Sequence, residues 1–99
     1  MTLIPNDHTI PTLYSTENES NPICQLKLFT PDSNWIWYII EMDEQKELCF
    51  GYVVGFEQEL GYFTMSELQN IRGSLNLSVE RDFSFSPITL DAVKEIHYD

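Results

Sequence analysis

Between Thr30 and Gly73 the chain reads TPDSNWIWYIIEMDEQKELCFGYVVGFEQELGYFTMSELQNIRG. Apolar, aromatic-rich runs alternate there with polar turn signals and end in a helix pattern. Trp35, Trp37, Tyr38, Phe50, Tyr52, Phe56, Tyr62 and Phe63 all fall inside it. Short runs rich in aromatic and β-branched residues, bounded by turns, read as strands of an antiparallel meander. Pro31-Asp32-Ser33-Asn34 makes the first turn, because proline presets φ while short Asp and Asn side chains satisfy nearby backbone groups. Glu44-Gln45-Lys46-Glu47 makes the second.

The turns impose registers that can be checked against each other. If Thr30 faces Trp35, then Leu28 meets Trp37 and Leu26 meets Ile39. If Asp43 faces Leu48, then Ile39 meets Tyr52, Trp37 meets Val54 and Trp35 meets Phe56. Both turns then agree on one bulky apolar face, which is how a sheet specifies its register. The other face carries Phe29, Ile36, Tyr38, Ile40, Met42, Gly51, Val53 and Gly55, and its apolar character calls for a second covering layer. Cys24 and Cys49 fall on opposite faces under these registers, which argues against a disulfide. Tyr62 is expected across from Gly55, shielding it.

Residues 23–30 alternate, with Cys24, Leu26 and Leu28 on one side, and read as a strand. Thr64-Met65-Ser66-Glu67 fits a capping box, and Met65, Leu68 and Ile71 recur at helical spacing. Arg72 suits the negative end of that helix, and Gly73 is expected as its left-handed C-cap. Residues 79–85 alternate and are expected to form an edge strand. Residues 89–97 read as a terminal helix with Thr89 as N-cap and Leu90, Val93 and Ile96 or His97 inward. The expected fold is therefore α+β: an antiparallel β-meander of four to five strands packed by two short helices. Residues 1–22 are expected as an arm docked through Leu3, Ile4, Ile10, Leu13 and Tyr14, and residues 23–99 as a single domain.

Sixteen acidic residues oppose only Lys27, Lys46, Arg72, Arg81 and Lys94, for a net charge of -11. Such a field repels phosphate backbones, so direct nucleic-acid binding is disfavoured. It serves solubility, or attraction to a protein partner with a basic surface. No apolar run approaches a membrane span, and the N-terminus lacks a signal-peptide pattern. A reduced, cytoplasmic protein with no membrane partner is the expectation.

Several residues offer chemistry on paper. Asp32, Ser33, Asn34 and Trp35 could form a functional loop, against the simpler reading of a turn followed by a core tryptophan. Glu41 and Asp43, like Glu57 and Glu59, are spaced to point the same way from a strand and could hold a hard cation. The registers keep the two pairs at opposite ends of the sheet, so acidic rims are expected instead. Glu80, Arg81 and Asp82 alternate, and Arg81 is expected to pair with a carboxylate from another element. Neither His8 nor His97 has a nucleophile motif around it, and neither Cys24 nor Cys49 has an activating neighbour. No catalytic residue, metal ligand or cofactor is expected.

The segments LFTPDSNWIWY, FGYVVGFEQELGYFTMSEL and IRGSLNLSVERDF resemble the small bacterial proteins grouped as domain of unknown function 2958. The resemblance extends over residues 10–88. Relatives are commonly encoded on plasmids, integrative elements and phages, so the resemblance implies a mobile-element accessory protein. It implies no catalytic residue.

The expected function is a non-enzymatic, acidic protein-binding module. Its sharpest form is an anti-defence inhibitor whose carboxylates occupy a nuclease's DNA-binding surface. The partner-binding set is Asp32, Asn34, Tyr38, Glu41, Asp43, Glu57, Glu59, Glu80, Arg81 and Asp82, with Phe29, Ile36 and Tyr38 as a partly uncovered apolar patch. The competing expectation is a small-ligand-binding or hydrolytic domain whose pocket is walled by Trp35, Tyr52 or Tyr62 and by acids such as Glu41. A homodimer through the second sheet face, or through the edge near Phe83, is compatible with either.

Overall fold

The apolar runs pair into one five-stranded antiparallel sheet in a computed structural model that describes residues 3–5 and 9–98. Strands β1 (Ile23–Cys24) and β2 (Leu26–Phe29) precede the first turn, and β3 (Ile36–Met42), β4 (Leu48–Val54) and β5 (Gln58–Thr64) follow it. Helix α1 (Met65–Asn70), strands β6 (Glu80–Arg81) and β7 (Ile88–Thr89) and helix α2 (Leu90–Ile96) come next. The sheet order is β5-β4-β3-β2-β6, while β1 and β7 pair separately. The architecture is α+β, as the turn and periodicity signals require.

The first hairpin takes the expected register, with Leu28 opposite Trp37 and Leu26 opposite Ile39. The second turn also closes as expected, the Asp43 amide donating to the Leu48 carbonyl at 2.9 Å. Beyond it the register slips. Glu41 faces Phe50 but Ile39 faces Gly51, so Ile40 is an extra residue in a β-bulge. From there Tyr38, not Ile39, meets Tyr52, and Trp37 meets Val53 rather than Val54.

Because side chains alternate with a period of two, one inserted residue changes the face of everything beyond it. Met42 and Cys49 join Leu26, Leu28, Trp37, Ile39, Phe63, Met65 and Leu68 in the first core, under α1. Ile40 joins Tyr38, Tyr52, Cys24, Leu90 and Val93 in the second, under α2. The second face thus has its covering layer. Gly51 permits the bulge: a Cβ there would land on the Tyr38 carbonyl oxygen.

Other departures have equally local causes. The Gln25 amide donates to the Ile39 carbonyl at 2.7 Å and interrupts the first strand, turning Cys24 to the second face. The two cysteines are still on opposite faces and free, each on the face expected for the other. Tyr62 sits opposite Phe50, not Gly55, which is covered by the Trp35 ring instead. The expected edge strand over residues 79–85 shortens to β6, because Asp82 Oδ1 accepts the Ser84 amide at 2.9 Å and its hydroxyl at 2.7 Å and starts a turn.

Thr64 caps α1, its hydroxyl oxygen accepting the Glu67 amide at 3.1 Å. The helix stops at Asn70, with Ile71 extended, and no glycine among the described residues has positive φ. Gly73 is therefore not a left-handed cap. Its missing side chain makes room for the Asp32 carboxylate. Thr89 caps α2 as expected, and His97 rather than Ile96 turns inward.

Gly51 and Gly61 face each other across β4 and β5, yet only Gly51 meets a neighbour where a Cβ would sit. In urea unfolding Gly51→Ala is expected to lose about 2–4 kcal/mol, because backbone must move to admit the methyl. Gly61→Ala is expected to be neutral, or to gain up to about 1 kcal/mol from a less flexible unfolded chain.

Candidate binding groove

The bulge determines where Glu41 points. Ile40 and Glu41 both project toward the second face, where Glu41 is 2% exposed. An unpaired carboxylate at such a position would cost several kcal/mol or take up a proton. The arm supplies its partners: Glu41 Oε1 accepts the Tyr14 amide at 2.7 Å and Oε2 accepts the Thr16 amide at 2.9 Å. The Thr16 hydroxyl donates to Oε2 as well. The Met42 amide donates to the Pro11 carbonyl at 2.9 Å, and Tyr14 takes a positive φ of 67° so that the arm can wind round the carboxylate.

This winding leaves a groove of about 250 Å³ between the arm, the second face of β4 and β5, and the start of α2. Tyr14, Phe50, Leu60, Tyr62 and Leu90 give it apolar walls, and Glu17, Glu19 and Glu41 give it carboxylates. The Tyr62 ring lies 5.0 Å from Phe50 and 6.4 Å from Tyr14, centroid to centroid. Tyr14, Leu60 and Tyr62 are 58%, 44% and 55% exposed. Desolvation raises the Tyr62 hydroxyl pKa, and the neighbouring Tyr14 and Glu41 push it the same way. Among the described residues that line it, none is basic. The one ion pair among the described residues, Lys27 to Asp82 at 3.5 Å, lies at the β2–β6 edge instead. Aromatic faces and carboxylates without a cation between them suit an ammonium or guanidinium group.

A second concavity surrounds the first turn. Trp35 stacks on Trp37 at 6.0 Å and meets Phe56 edge-on at 5.4 Å. A cleft of about 330 Å³ runs between these tryptophans, Phe63, Leu68 and Ile71, with Glu67 and Arg72 also lining it. Of the residues expected to wall a ligand pocket, Tyr62 and Glu41 meet in the first groove, while Trp35 and Tyr52 lie elsewhere. Trp35 belongs to the first face, whereas Tyr52 is buried in the second core with its hydroxyl donating to Gln58 Oε1 at 3.2 Å.

The residues read as partner-binding scatter over the molecule. Tyr38 and Glu41 are interior: the Tyr38 ring packs against Phe85 and His97, and its hydroxyl lies 2.7 Å from His97 Nε2. The apolar patch expected around Phe29, Ile36 and Tyr38 is therefore closed at Tyr38 and half-buried at the other two. Asp32 Oδ2 accepts the Leu75 amide at 2.6 Å and the Leu77 amide at 3.3 Å, tying the first turn to the loop after α1. Asp43 Oδ1 accepts the Glu47 amide at 2.8 Å within the second turn.

Asn34, Glu57, Glu59 and Glu80 are exposed. Arg81 does not meet a carboxylate among the described residues. It lies 4.5 Å from the Phe83 ring and donates to the Leu3 carbonyl. Asp82 is held below its usual pKa, first by the Ser84 hydroxyl. Burial pushes the Cys24 and Cys49 thiols up to about 12, so neither is a nucleophile near neutral pH. Among the described residues no three His, Cys, Asp or Glu side chains gather to hold a metal. His8 lies outside the described residues.

Tyr14, Glu17, Glu19 and Leu60 were not singled out as site residues from the sequence. The one signal for them was Glu41 itself, a charge inside an apolar strand that needed a polar neighbour from elsewhere in the chain.

A family model described as "Protein of unknown function (DUF2958)" matches residues 2–92. No curated protein and no solved structure matches the chain.

Glu41→Gln keeps the shape of the side chain but replaces one acceptor by an NH2 group facing an arm donor. It is expected to destabilise the fold by about 2–3 kcal/mol in urea unfolding, the scale of lost charged hydrogen bonds. A change within about 0.5 kcal/mol would show that the arm does not depend on this carboxylate.

Proposed function

We propose that the chain, which belongs to the family of that model, is a non-enzymatic acidic module that binds a protein partner with a basic surface. One observation carries this reading: the groove beside Glu41 joins exposed Tyr14, Leu60 and Tyr62 to the carboxylates of Glu17 and Glu19, with no basic residue among the described residues that line it. A lysine or arginine side chain from a partner would meet ring faces for its stem and carboxylates for its charge. The net charge of -11 would speed the encounter with a cationic surface and make the complex salt-sensitive. The raised pKa of both buried thiols, and a Glu41 carboxylate already occupied by arm amides, favour binding over catalysis.

The finer form of the proposal follows the family resemblance. A mobile-element accessory protein working in the cytoplasm would meet host defence nucleases, whose DNA-binding surfaces are basic. Exposed Glu17, Glu19, Glu57, Glu59 and Glu80 would stand in for phosphates there.

The test is affinity capture from host lysate with nucleic acid digested away, using the native chain beside a Glu17→Gln, Glu19→Gln, Tyr62→Ala variant. These side chains are exposed, so the variant is expected to fold. One stoichiometric protein, held by the native chain, released as salt rises and lost from the variant, supports the proposal. A nuclease in that position supports the inhibitor form. An empty capture, or equal capture by the variant, overturns the groove's role.

A further inference from the structure

We infer that β5 is a docking edge, along which an extended, lysine- or arginine-bearing segment of a partner adds to the sheet and sets a cationic side chain in the Tyr14–Tyr62 groove. The inference rests on the protein-binding reading and supplies its geometry.

The two edges of the sheet are unlike. At one end stands β6, two residues long and cut off by the Asp82 turn. At the other stands β5, paired with β4 at every position from Gln58 to Thr64 without a bulge. Seven regular residues make an edge of about 23 Å. Natural edge strands are blunted by charged side chains, above all lysine, or by proline, a bulge or a covering segment. The one charge in β5, Glu59, would repel another acidic chain but attract a cationic one. The β5 sequence, QELGYFT, has neither lysine nor proline.

Its free backbone groups can be assigned. The Met65 amide donates to the Glu47 carbonyl at 2.8 Å, and the Gly55 amide to the Glu57 carbonyl at 2.9 Å. In an antiparallel ladder these two bonds fix the alternation. Glu59, Gly61 and Phe63 exchange bonds with β4, so Gln58, Leu60, Tyr62 and Thr64 turn their amides and carbonyls outward. No backbone partner for the Leu60 or Tyr62 amide occurs among the described residues.

Charge decides the occupant. Glu57 and Glu59 are exposed along this edge, and Glu17 and Glu19 line the groove beside it. A second copy of the chain would bring the same acids and a net charge of -11 to the contact. A cationic strand would meet opposite charge. Alternate side chains of an added strand project to one face, and here that face is the groove side carrying Leu60 and Tyr62. Main-chain bonds would give such a complex its affinity, and the groove its preference for a basic residue.

The test uses isotope-labelled protein and a capped heptapeptide, Ac-Lys-Val-Lys-Val-Lys-Val-Lys-NH2, with its Glu-for-Lys counterpart as control. Amide hydrogen exchange is followed by NMR. The lysine peptide is expected to slow exchange at Leu60 and Tyr62 by about tenfold or more at saturation, with Glu59 and Gly61 already protected in the free protein. The glutamate peptide is expected to do nothing. Lysine-peptide binding that leaves Leu60 and Tyr62 unprotected overturns the strand-addition mode, as does no binding at all. Protection that grows with protein concentration alone would assign the edge to a second copy and also overturn it. A positive lysate capture beside any of these failures would leave the protein-binding reading standing.

Discussion

A carboxylate withdrawn from water must be given hydrogen-bond donors by the protein, and Glu41 receives its donors from the arm. Much of the second side of the domain follows from that requirement. The bulge at Ile40 carries Glu41 to the second face, and Gly51 lets β4 approach closely enough for the bulge to form. The Tyr14 and Thr16 amides bring the arm across that face. The groove is the space left between the arm and β5. A strand without the bulge would point Glu41 into the first core, on the side of Trp37 and Ile39, away from the arm amides that satisfy it.

The same arrangement separates the chain's polar chemistry into two kinds. Some carboxylates are structural, each with backbone amides to satisfy: Asp32 for the loop after α1, Asp43 for the second turn, Glu47 for the Ser66 amide at the start of α1. Others, including Glu17, Glu19, Glu57 and Glu59, are exposed and lie along the groove and the β5 edge. An acidic composition alone says nothing about this division. Geometry supplies it, and it gives the surface charge a direction.

Much of the fold was legible in the sequence because turn chemistry is local. The Pro31-Asp32-Ser33-Asn34 turn gave the first hairpin its correct register, and Thr64 and Thr89 marked both helix starts. The bulge was not legible, because an inserted residue leaves an apolar run looking continuous. Turn registers alone consequently place Tyr52 and Val53 on each other's faces. Position alone makes Gly73 look like a helix cap, whereas a carboxylate 41 residues earlier explains it. The candidate groove was hidden for the same reason. Tyr14, Glu41 and Tyr62 come together only through tertiary structure, and the arm looks irregular because it is held by one side chain and a single bridge to β3 rather than by a ladder.

Native-state hydrogen exchange of the Tyr14 and Thr16 amides tests the central claim most directly. If Glu41 holds the arm, both amides exchange as slowly as core amides such as Ile39, through opening of the whole domain. Exchange close to the rate of an unstructured chain, with Ile39 still protected, would contradict the account. The arm would then not be bound to Glu41, and the groove would not be a fixed feature of the surface.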